Sequence, residues 1–226
     1  MKSGSKESEI INELKKLGYW NNLYTKEDYF GTGPTLLAIF AKKIIEDNSL
    51  HSILELGCGQ GRDAVFFSRL GYNIVATDIS KNAIDFVSKV KKEEKLDNLE
   101  LLVHDTQKVL NVGNSKFDLI YSNLALQFFN IVELEKIFSN IHKLMENNSY
   151  FLFSTKKSGD KYYNFGNKIS DNAFEYKEIV RYFFEKHELE SILKKKFQII
   201  SFDESTHVNP DSTKSVWWKI LVKKQL

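Results

Sequence analysis

Residues 53–63 read Ile53-Leu54-Glu55-Leu56-Gly57-Cys58-Gly59-Gln60-Gly61-Arg62-Asp63. The short apolar run at the beginning is typical of a strand that is covered on both faces. Glycines then occupy alternate positions, where a backbone without a Cβ can turn tightly and let a ligand approach closely. A helical pattern begins at Ala64, so the N–H groups of its first turn would face the glycines and an anionic group. We predict a strand, a ligand-binding turn and a helix.

A second strand and an acidic residue follow this helix. Residues 73–77 form a largely apolar run that ends at Asp78, which lies 21 positions after Gly57 (78 − 57). The glycine spacing is G-x-G-x-G, which differs from the G-x-G-x-x-G of dinucleotide-binding turns. In a doubly wound sheet, an acid at this distance presents its carboxylate to ribose hydroxyls. The alternative is a structural turn followed by an unrelated surface aspartate.

The segments E-L-G-C-G-Q-G-R-D-A at 55–64 and G-Y-N-I-V-A-T-D-I-S at 71–80 resemble the class I S-adenosylmethionine (SAM)-dependent methyltransferases. The resemblance extends from Tyr19 to Lys223 and is greatest to the small-molecule branch, which includes tellurite-resistance and thiopurine-type enzymes. It implies that SAM is the cofactor and S-adenosylhomocysteine the product. It also implies one α/β domain over residues 1–226, with a doubly wound Rossmann-like fold. The implied sheet has seven strands in the order 3-2-1-4-5-7-6, strand 7 is antiparallel, and helices cover both faces.

The strand–helix units between residues 51 and 155 independently predict a parallel sheet with right-handed crossovers. Composition bears on the class of partner. The net charge of the 226-residue chain is only +2, and its lysines are dispersed along the sequence. This balance does not favour a nucleic-acid partner. The single cysteine, Cys58, indicates a reducing compartment. We find no apolar run of membrane-spanning length and no signal peptide at residues 1–4, and therefore expect a cytoplasmic location. We also expect a monomer or a weak homodimer.

The resemblance assigns roles to individual cofactor-binding residues. Glu55 and the turn backbone would position the methionine part, and Arg62 would pair with its carboxylate. Ile79 would pack on adenine, and Asp105 would bond the exocyclic amine of that base. His104 would stack on adenine or line its pocket, the alternative being a surface or core histidine. The complete predicted set is Trp20, Tyr24, Phe30, Glu55, Gly57, Cys58, Gly59, Gly61, Arg62, Asp78, Ile79, Ser80, His104, Asp105, Thr106, Ser122, Asn123 and Leu124.

Residues 1–34 are predicted to form an N-terminal helix and a lid. Apolar residues at helical spacing favour a helix from Ser5 to Leu17, whereas Tyr19 to Pro34 mixes aromatics with asparagines and glycines and lacks a clear period. In similar methyltransferases this segment folds over the cofactor, and aromatic faces attract a sulfonium cation. The alternative is that Trp20, Tyr24 and Phe30 only pack against the core. Pro34 is predicted in the first turn of the next helix.

The residues predicted to bind the methyl acceptor form a less specific pattern than those predicted to bind the cofactor. Gln127 stands where relatives often carry a histidine, and glutamine is not a base. Residues 156–184 are predicted to be a substrate-facing insertion, irregular up to residue 176 and extended over 179–184. Strands are expected at 197–202 and 216–222, joined by a long loop. The predicted substrate-binding residues are Gln127, Phe128, Tyr162, Tyr163 and His207, of which the last three are also the candidate catalytic residues.

His207 matches a histidine of tellurite-resistance-type relatives, but the arginines of their last hairpin are missing, so an oxyanion substrate is not predicted. We predict in-line transfer of a methyl group to a nucleophilic atom of a small molecule, without a metal, since zinc-type ligand motifs are absent. A peptide or protein methyltransferase and a non-catalytic SAM-binding protein are the alternatives. A nucleic-acid methyltransferase is disfavoured, because residues 122–125 lack its Pro-Pro-aromatic signature and Cys58 lies inside the glycine turn.

Overall fold

Strands and helices alternate along much of the protein, whose computed structural model describes residues 14–26, 31, 33–113 and 115–225. The described part begins with a helix at residues 14–23, here α1. A short 3₁₀ turn covers Leu126–Phe128. The other elements are α2 (Leu36–Asn48), β1 (Ser52–Leu56), α3 (Arg62–Arg69), β2 (Asn73–Asp78), α4 (Lys81–Glu94), β3 (Leu99–Val103), β4 (Phe117–Asn123), α5 (Ile131–Leu144), β5 (Met145–Lys156), β6 (Asn167–Ser170), β7 (Ala173–Tyr176), β8 (Ile179–Tyr182), α6 (Lys186–Leu193), β9 (Phe197–Val208) and β10 (Lys214–Lys224).

The main sheet has seven strands in the order β3-β2-β1-β4-β5-β10-β9. The first five are parallel to their neighbours, and β10 is antiparallel to both β5 and β9. Because β9 and β10 are the sixth and seventh strands of this sheet along the chain, the predicted order and the predicted antiparallel strand are confirmed.

Successive residues of the central strands enter two different cores. Ile53 and Leu119 pack on one side with residues of α2, α3 and α4, whereas Leu54 and Ile120 pack on the other side with residues of α5 and α6. Side chains along a strand alternate between the faces of the sheet, so an uninterrupted apolar run requires cover on both faces. The prediction of a doubly wound α/β fold is therefore confirmed.

Residues 167–182 form a small antiparallel sheet in the order β6-β7-β8. Regular structure in β6 and β7 contradicts the prediction that the segment up to residue 176 is irregular, whereas the extended stretch beginning at Ile179 is observed as β8. Each of these strands has only four residues. Tyr163 packs edge-on against Phe174 and Phe183 at 5.2 and 5.4 Å between ring centroids. This aromatic packing comes from residues distant in sequence, which local periodicity does not reveal.

Both ends of the described chain depart from prediction. The terminal strands β9 and β10 are longer than expected, leaving a turn of residues 209–213 in place of a long loop. Residues 19–23 are helical, where an irregular segment was predicted. Pro34 precedes the N-cap of α2, Thr35, whose hydroxyl accepts from the N–H of Ala38, so the proline lies outside the first turn. Most of the helix predicted for residues 5–17 lies outside the described residues. No helix in the described ranges is long and apolar enough to cross a membrane.

Candidate functional site

The turn after β1 has a backbone that only glycine adopts without strain. Gly57, Gly59 and Gly61 have φ values of +73°, +54° and +76°. The N–H groups of Gly57 and Cys58 both donate to the carbonyl of Thr77, at 2.8 and 2.9 Å. A Cβ added at Gly57 would lie 2.4 Å from the Cβ of Ala125. The turn is thus fastened to the end of β2 and leaves room for nothing larger than glycine.

Asp78 joins the second strand to this turn. Its two carboxylate oxygens accept from the N–H groups of Gly59 and Ser80, each at 2.8 Å. Burial raises the pKa of Asp78, although these N–H groups favour its charged form. Each oxygen retains capacity for a second hydrogen bond. Asp78 therefore fixes the turn and still offers acceptors to a ligand.

Glu55 points a carboxylate into the same region. Its Oε2 is buried and has no hydrogen-bond partner in the structure. Burial raises the pKa of Glu55 well above the ordinary value, and the carboxylates of Asp63 and Asp78 raise it further. A buried acceptor without a partner is costly unless a ligand satisfies it. A cationic or hydrogen-bond-donating ligand group beside the turn would do so.

Asp63, at the start of α3, was not predicted. Its carboxylate accepts from the N–H and hydroxyl of Thr35, at 2.8 and 2.7 Å, and from the Tyr121 hydroxyl at 2.6 Å. Burial, and then the Asp63 charge, raise the pKa of Tyr121. This network ties the beginning of α2 to α3 and β4. The only local signal in the sequence is that an acid is favourable in the first turn of a helix.

A cavity of about 1590 Å³ lies at the carboxyl ends of the central strands, in agreement with the rule for open α/β sheets. Many of the predicted cofactor and substrate residues line it together. These are Trp20, Tyr24, Glu55, Gly57, Cys58, Gly59, Arg62, Asp78, Ile79, Asp105, Thr106, Asn123, Leu124, Gln127, Phe128 and Tyr162.

Several predicted cofactor residues do not line the cavity. The Cα of Gly61 faces α4, since an added Cβ would lie 2.7 Å from a methyl carbon of Val87. The Ser80 hydroxyl caps α4 by accepting from the N–H of Ala83. The hydroxyl of Ser122 is buried and donates to the carbonyl of Leu56 at 2.9 Å. These three residues build the walls behind the site. Phe30 lies outside the described residues.

Two histidines and a tyrosine from the prediction also lie elsewhere. His104 is half-buried and does not line the cavity, and burial lowers its pKa. Tyr163 belongs to the aromatic packing of the small sheet. His207 is exposed on β9, opposite Ser215, because this strand continues through the segment expected to be a loop. Of the three candidate catalytic residues, Tyr162 alone lines the cavity.

Helix α1 covers one side of the cavity. The Trp20 ring stacks on that of Tyr24 with centroids 6.0 Å apart and meets that of Phe128 edge-on at 4.9 Å. A Cβ at Gly59 would lie 2.8 Å from the Tyr24 hydroxyl. The Lys16 ammonium donates to the carbonyl of Phe128 at 3.1 Å. The rings therefore form a continuous wall from the glycine turn to the 3₁₀ turn.

Arg62 lies at the start of α3, on the side of the cavity that contains the glycine turn. Its Nε donates to the carbonyl of Gly33, and the residue lines the cavity. Asp105 lines the cavity as well, and it accepts from the N–H of Gln107 at 3.0 Å and lies 3.7 Å from the Lys108 ammonium. Arg62 and Asp105 therefore line the cavity as predicted, and each also forms a hydrogen bond with the backbone of a loop.

The half of the cavity that lies away from the glycine turn contains buried polar atoms without hydrogen-bond partners. Gln127 is buried, and its Oε1 has no hydrogen-bond partner. The Nη1 of Arg181, on β8, is likewise buried without a partner. The Arg181 guanidinium lies 5.7 Å from the Phe128 ring centroid and 5.0 Å from that of Tyr162. Sequence reasoning missed Arg181 because one arginine in a segment predicted to be extended has no distinguishing local pattern.

A buried ion pair supports the same half. The Lys156 ammonium donates to Asp160, whose carboxylate also accepts from the N–H groups of Val216 and Tyr162, at 2.9 and 3.0 Å. Burial lowers the pKa of Lys156. The neighbouring Leu124 has a φ of +51°, a strained value for a residue with a branched side chain. Strain and buried charge of this kind concentrate at functional sites.

Comparison with known proteins agrees with this geometry. The family model described as tellurite resistance protein TehB matches residues 22–196. A probable SAM-dependent methyltransferase TehB from Haemophilus influenzae (strain 10810) is 32% identical over 142 residues. That match covers 60% of this chain and 47% of the relative, so the chain spans about half the length of the curated relative.

Solved structures share the fold. The crystal structure of TehB from Haemophilus influenzae has a TM-score of 0.66 at 24% identity, over 88% of this chain and 67% of that chain. The Burkholderia thailandensis 1,6-didemethyltoxoflavin-N1-methyltransferase, solved with its substrate and S-adenosylhomocysteine, has a TM-score of 0.68 at 14% identity, over 100% of this chain and 92% of that chain. The family match, which extends over most of the chain and includes the glycine turn, shows that this protein belongs to the TehB family of class I SAM-dependent methyltransferases.

Proposed function

We propose that this protein transfers a methyl group from SAM to a nucleophilic atom of a small molecule. The observation that carries the proposal is one cavity with two chemically different halves. One half has the glycine turn, Glu55 and Asp78, and the other has Gln127 and Tyr162. The first half fits a cofactor with cationic groups and ribose hydroxyls, and the second fits an acceptor.

The residues of the first half are suited to hold the cofactor. Asp78 offers carboxylate oxygens to ribose hydroxyls, and the unpartnered Oε2 of Glu55 offers an acceptor to the methionine amino group. Arg62 would pair with the methionine carboxylate, Ile79 would pack on adenine, and Asp105 would bond its amine. When bound, SAM supplies an electrophilic methyl group on a positively charged sulfur. Trp20 and Tyr24 present aromatic faces, which attract such a charge.

The chain must then bring the acceptor into line and exclude water. Such positioning can supply much of the rate enhancement of a displacement whose leaving group belongs to the cofactor. Gln127 would accept a hydrogen bond from the acceptor, and the Tyr162 hydroxyl would hydrogen-bond the nucleophilic atom and orient it. A proton lost by that atom on methylation would pass to water. Residues 156–184 would thus serve as the substrate-facing insertion.

We further propose that α1 and the residues after it form a lid. Its aromatic rings bridge the glycine turn and Phe128, so a bound cofactor would add apolar surface for them to contact. A ligand that binds the closed form more tightly shifts the population towards it. Backbone hydrogen exchange in residues 14–26 should slow when S-adenosylhomocysteine is added. Unchanged exchange at saturating ligand would contradict the lid.

A small acceptor is supported by the buried polar atoms of Gln127 and Arg181, which lie in the second half of the cavity without hydrogen-bond partners. The net charge of +2 gives no electrostatic basis for nucleic-acid binding. We also infer one domain that acts as a monomer or weak homodimer. RNA binding in the submicromolar range at physiological salt would contradict the choice of a small acceptor.

Titration calorimetry with SAM, S-adenosylhomocysteine and NAD tests the cofactor. The expected result is binding of the first two ligands and weaker or no binding of NAD. Absence of SAM binding would overturn the proposal. Turnover is tested by release of S-adenosylhomocysteine in the presence of candidate acceptors. If the chain binds SAM but no small molecule or peptide supports release, it is a SAM-binding protein without catalysis.

A further inference from the structure

The Arg181 guanidinium is a cation that lines the acceptor half of the cavity without an anionic partner. Its Nη1 is buried and makes no hydrogen bond, and no described carboxylate lies within ion-pair distance of it. Leaving a buried charged donor unsatisfied is costly, because the group has lost water and gained nothing in exchange. An anionic ligand that enters the cavity would remove this cost.

The neighbouring charges do not neutralise Arg181. Asp160 is committed to Lys156 and to two backbone N–H groups. Glu133 is committed to the side chain of Gln107 and to the N–H of Asn130, at 2.8 and 2.7 Å. Glu175 and Glu178 line the cavity from the β7–β8 hairpin, but neither forms an ion pair with Arg181. The inner end of the acceptor half therefore favours an anion.

Aromatic rings beside Arg181 indicate what kind of group the anion is attached to. Phe128 and Tyr162 lie on the guanidinium at 5.7 and 5.0 Å, and Phe128 continues through Trp20 to the glycine turn. A flat apolar group could pack along this wall while its charged end meets Arg181. The buried, unpartnered Oε1 of Gln127 lies on the same side and would accept an N–H or O–H from the ligand.

We propose that the methyl acceptor is a small planar molecule bearing a carboxylate, which pairs with Arg181 while its planar part packs on Phe128 and Tyr162. A carboxylate suits this site better than a phosphate dianion does, because the single positive charge of Arg181 balances one negative charge and a guanidinium can bind a carboxylate in a fork. This inference rests on the proposed function for the identity of the site. It also revises the expectation that no oxyanion is bound. That expectation was based on the arginines missing from the last hairpin, whereas Arg181 supplies a cation from β8.

The experiment uses the full chain saturated with S-adenosylhomocysteine and a panel of planar aromatic acids, each paired with its neutral amide, of which benzoate and benzamide are the simplest. Binding is measured by ligand-observed NMR or calorimetry. We expect acids to bind about tenfold or more tightly than their amides, as a charge-assisted hydrogen bond predicts. Arg181→Gln should abolish this preference, and Arg181→Lys should retain part of it.

Arg69→Gln is the matched control, since Arg69 pairs with Glu94 on the surface and does not line the cavity. It should keep the preference for acids. Unchanged S-adenosylhomocysteine affinity in each variant shows that the fold and the cofactor half are intact. If no acid in the panel outbinds its amide, or if the preference survives in Arg181→Gln, the inference is overturned. Failure of wild-type protein to bind S-adenosylhomocysteine would instead overturn the proposed function.

Discussion

The two halves of the cavity are built from different kinds of contact. In the cofactor half, backbone groups define the shape, because the N–H groups of Gly57 and Cys58 bond Thr77 and that of Gly59 bonds Asp78. In the acceptor half, side chains define it, through the rings of Phe128 and Tyr162 around Arg181. A backbone cradle, meaning a site formed by the backbone of glycines, tolerates few substitutions, whereas the shape of a site formed by side chains changes with each substitution. The first half therefore suits one fixed ligand, and the second suits a ligand whose choice depends on individual side chains.

The strongest test of the backbone cradle is Gly57→Ala. A left-handed φ costs an alanine about 1–2 kcal/mol, and the contact with Ala125 adds about 1–3 kcal/mol of overpacking. We expect a loss of about 2–5 kcal/mol in the free energy of unfolding, measured by urea denaturation. Gly71→Ala is the control, because Gly71 has a φ of +89° but nothing within 4 Å of an added Cβ. Equal losses in both variants would mean that packing around the turn is unimportant.

Asp78→Asn tests the carboxylate that links cradle and ligand. Loss of charged hydrogen bonds to ribose should weaken S-adenosylhomocysteine binding by about 1–3 kcal/mol, measured by calorimetry. Asp85→Asn is the control, since Asp85 is an exposed partner of Lys81 one turn along α4. An affinity that is unchanged in Asp78→Asn would remove Asp78 from the cofactor site.

Glu55 predicts a pH dependence confined to the cofactor half. A cationic ligand favours the ionised carboxylate, whose pKa is raised in the free protein by burial. Affinity for S-adenosylhomocysteine should therefore fall as pH drops through that raised pKa, by up to about tenfold per pH unit, the limit for one coupled proton. Titrations between about pH 5 and 8 measure this, above the ordinary glutamate pKa of about 4.3.

Glu55→Gln should flatten this pH dependence. It should also change the stability of the free protein in a defined direction. Because the folded pKa of Glu55 is raised, its contribution to stability is present below the unfolded pKa and is lost as pH rises through the folded pKa. The glutamine variant should lack this loss and be at least as stable as wild type at neutral pH. A variant with the wild-type pH profile would show that another group titrates.

The smallest expected effect is in the acceptor half, where Tyr162→Phe removes one hydroxyl. We expect turnover on an acceptor identified from the acid panel to fall about 2- to 10-fold, the range for one hydrogen bond. Tyr163→Phe is the matched neighbour, because Tyr163 packs with Phe174 and Phe183 and does not line the cavity. Equal turnover of the two variants would exclude Tyr162 from the reaction.

Local spacing predicted the glycine turn and the position of Asp78 beside it, and the structure shows both. The glycines, Glu55 and Asp78 are separated by short stretches whose geometry is set by one strand, one turn and one helix. Local chemistry also accounts for the Ser80 hydroxyl as the cap of α4 and for Asn148, a residue type that tolerates its observed φ of +65°. Asp105 and Asn123, which the family resemblance assigned to the cofactor, line the cavity as well.

Spacing failed where side-chain direction depends on strand register or on distant partners. His207 matched a histidine of relatives, but the longer β9 carries it to an exposed position opposite Ser215. Tyr162 and Tyr163 are adjacent in sequence, yet one lines the cavity and the other packs in the small sheet. Both residues lie in a turn between β5 and β6, where no regular period sets the direction of a side chain.

The sequence by itself determined the glycine turn, the acid at the end of β2 and the parallel strand–helix units, because these features follow from short-range periodicity and from the conformational freedom of glycine. The order of the seven strands came from the resemblance to a known family. Only the tertiary structure decided which polar groups remain without partners. Arg181 and Gln127 are separated by 54 positions (181 − 127). Nothing local to either residue shows that both line one cavity, or that no carboxylate of the described residues forms an ion pair with the arginine. Partnering is a property of the packed chain, since every hydrogen-bonding group is satisfied by water until folding buries it.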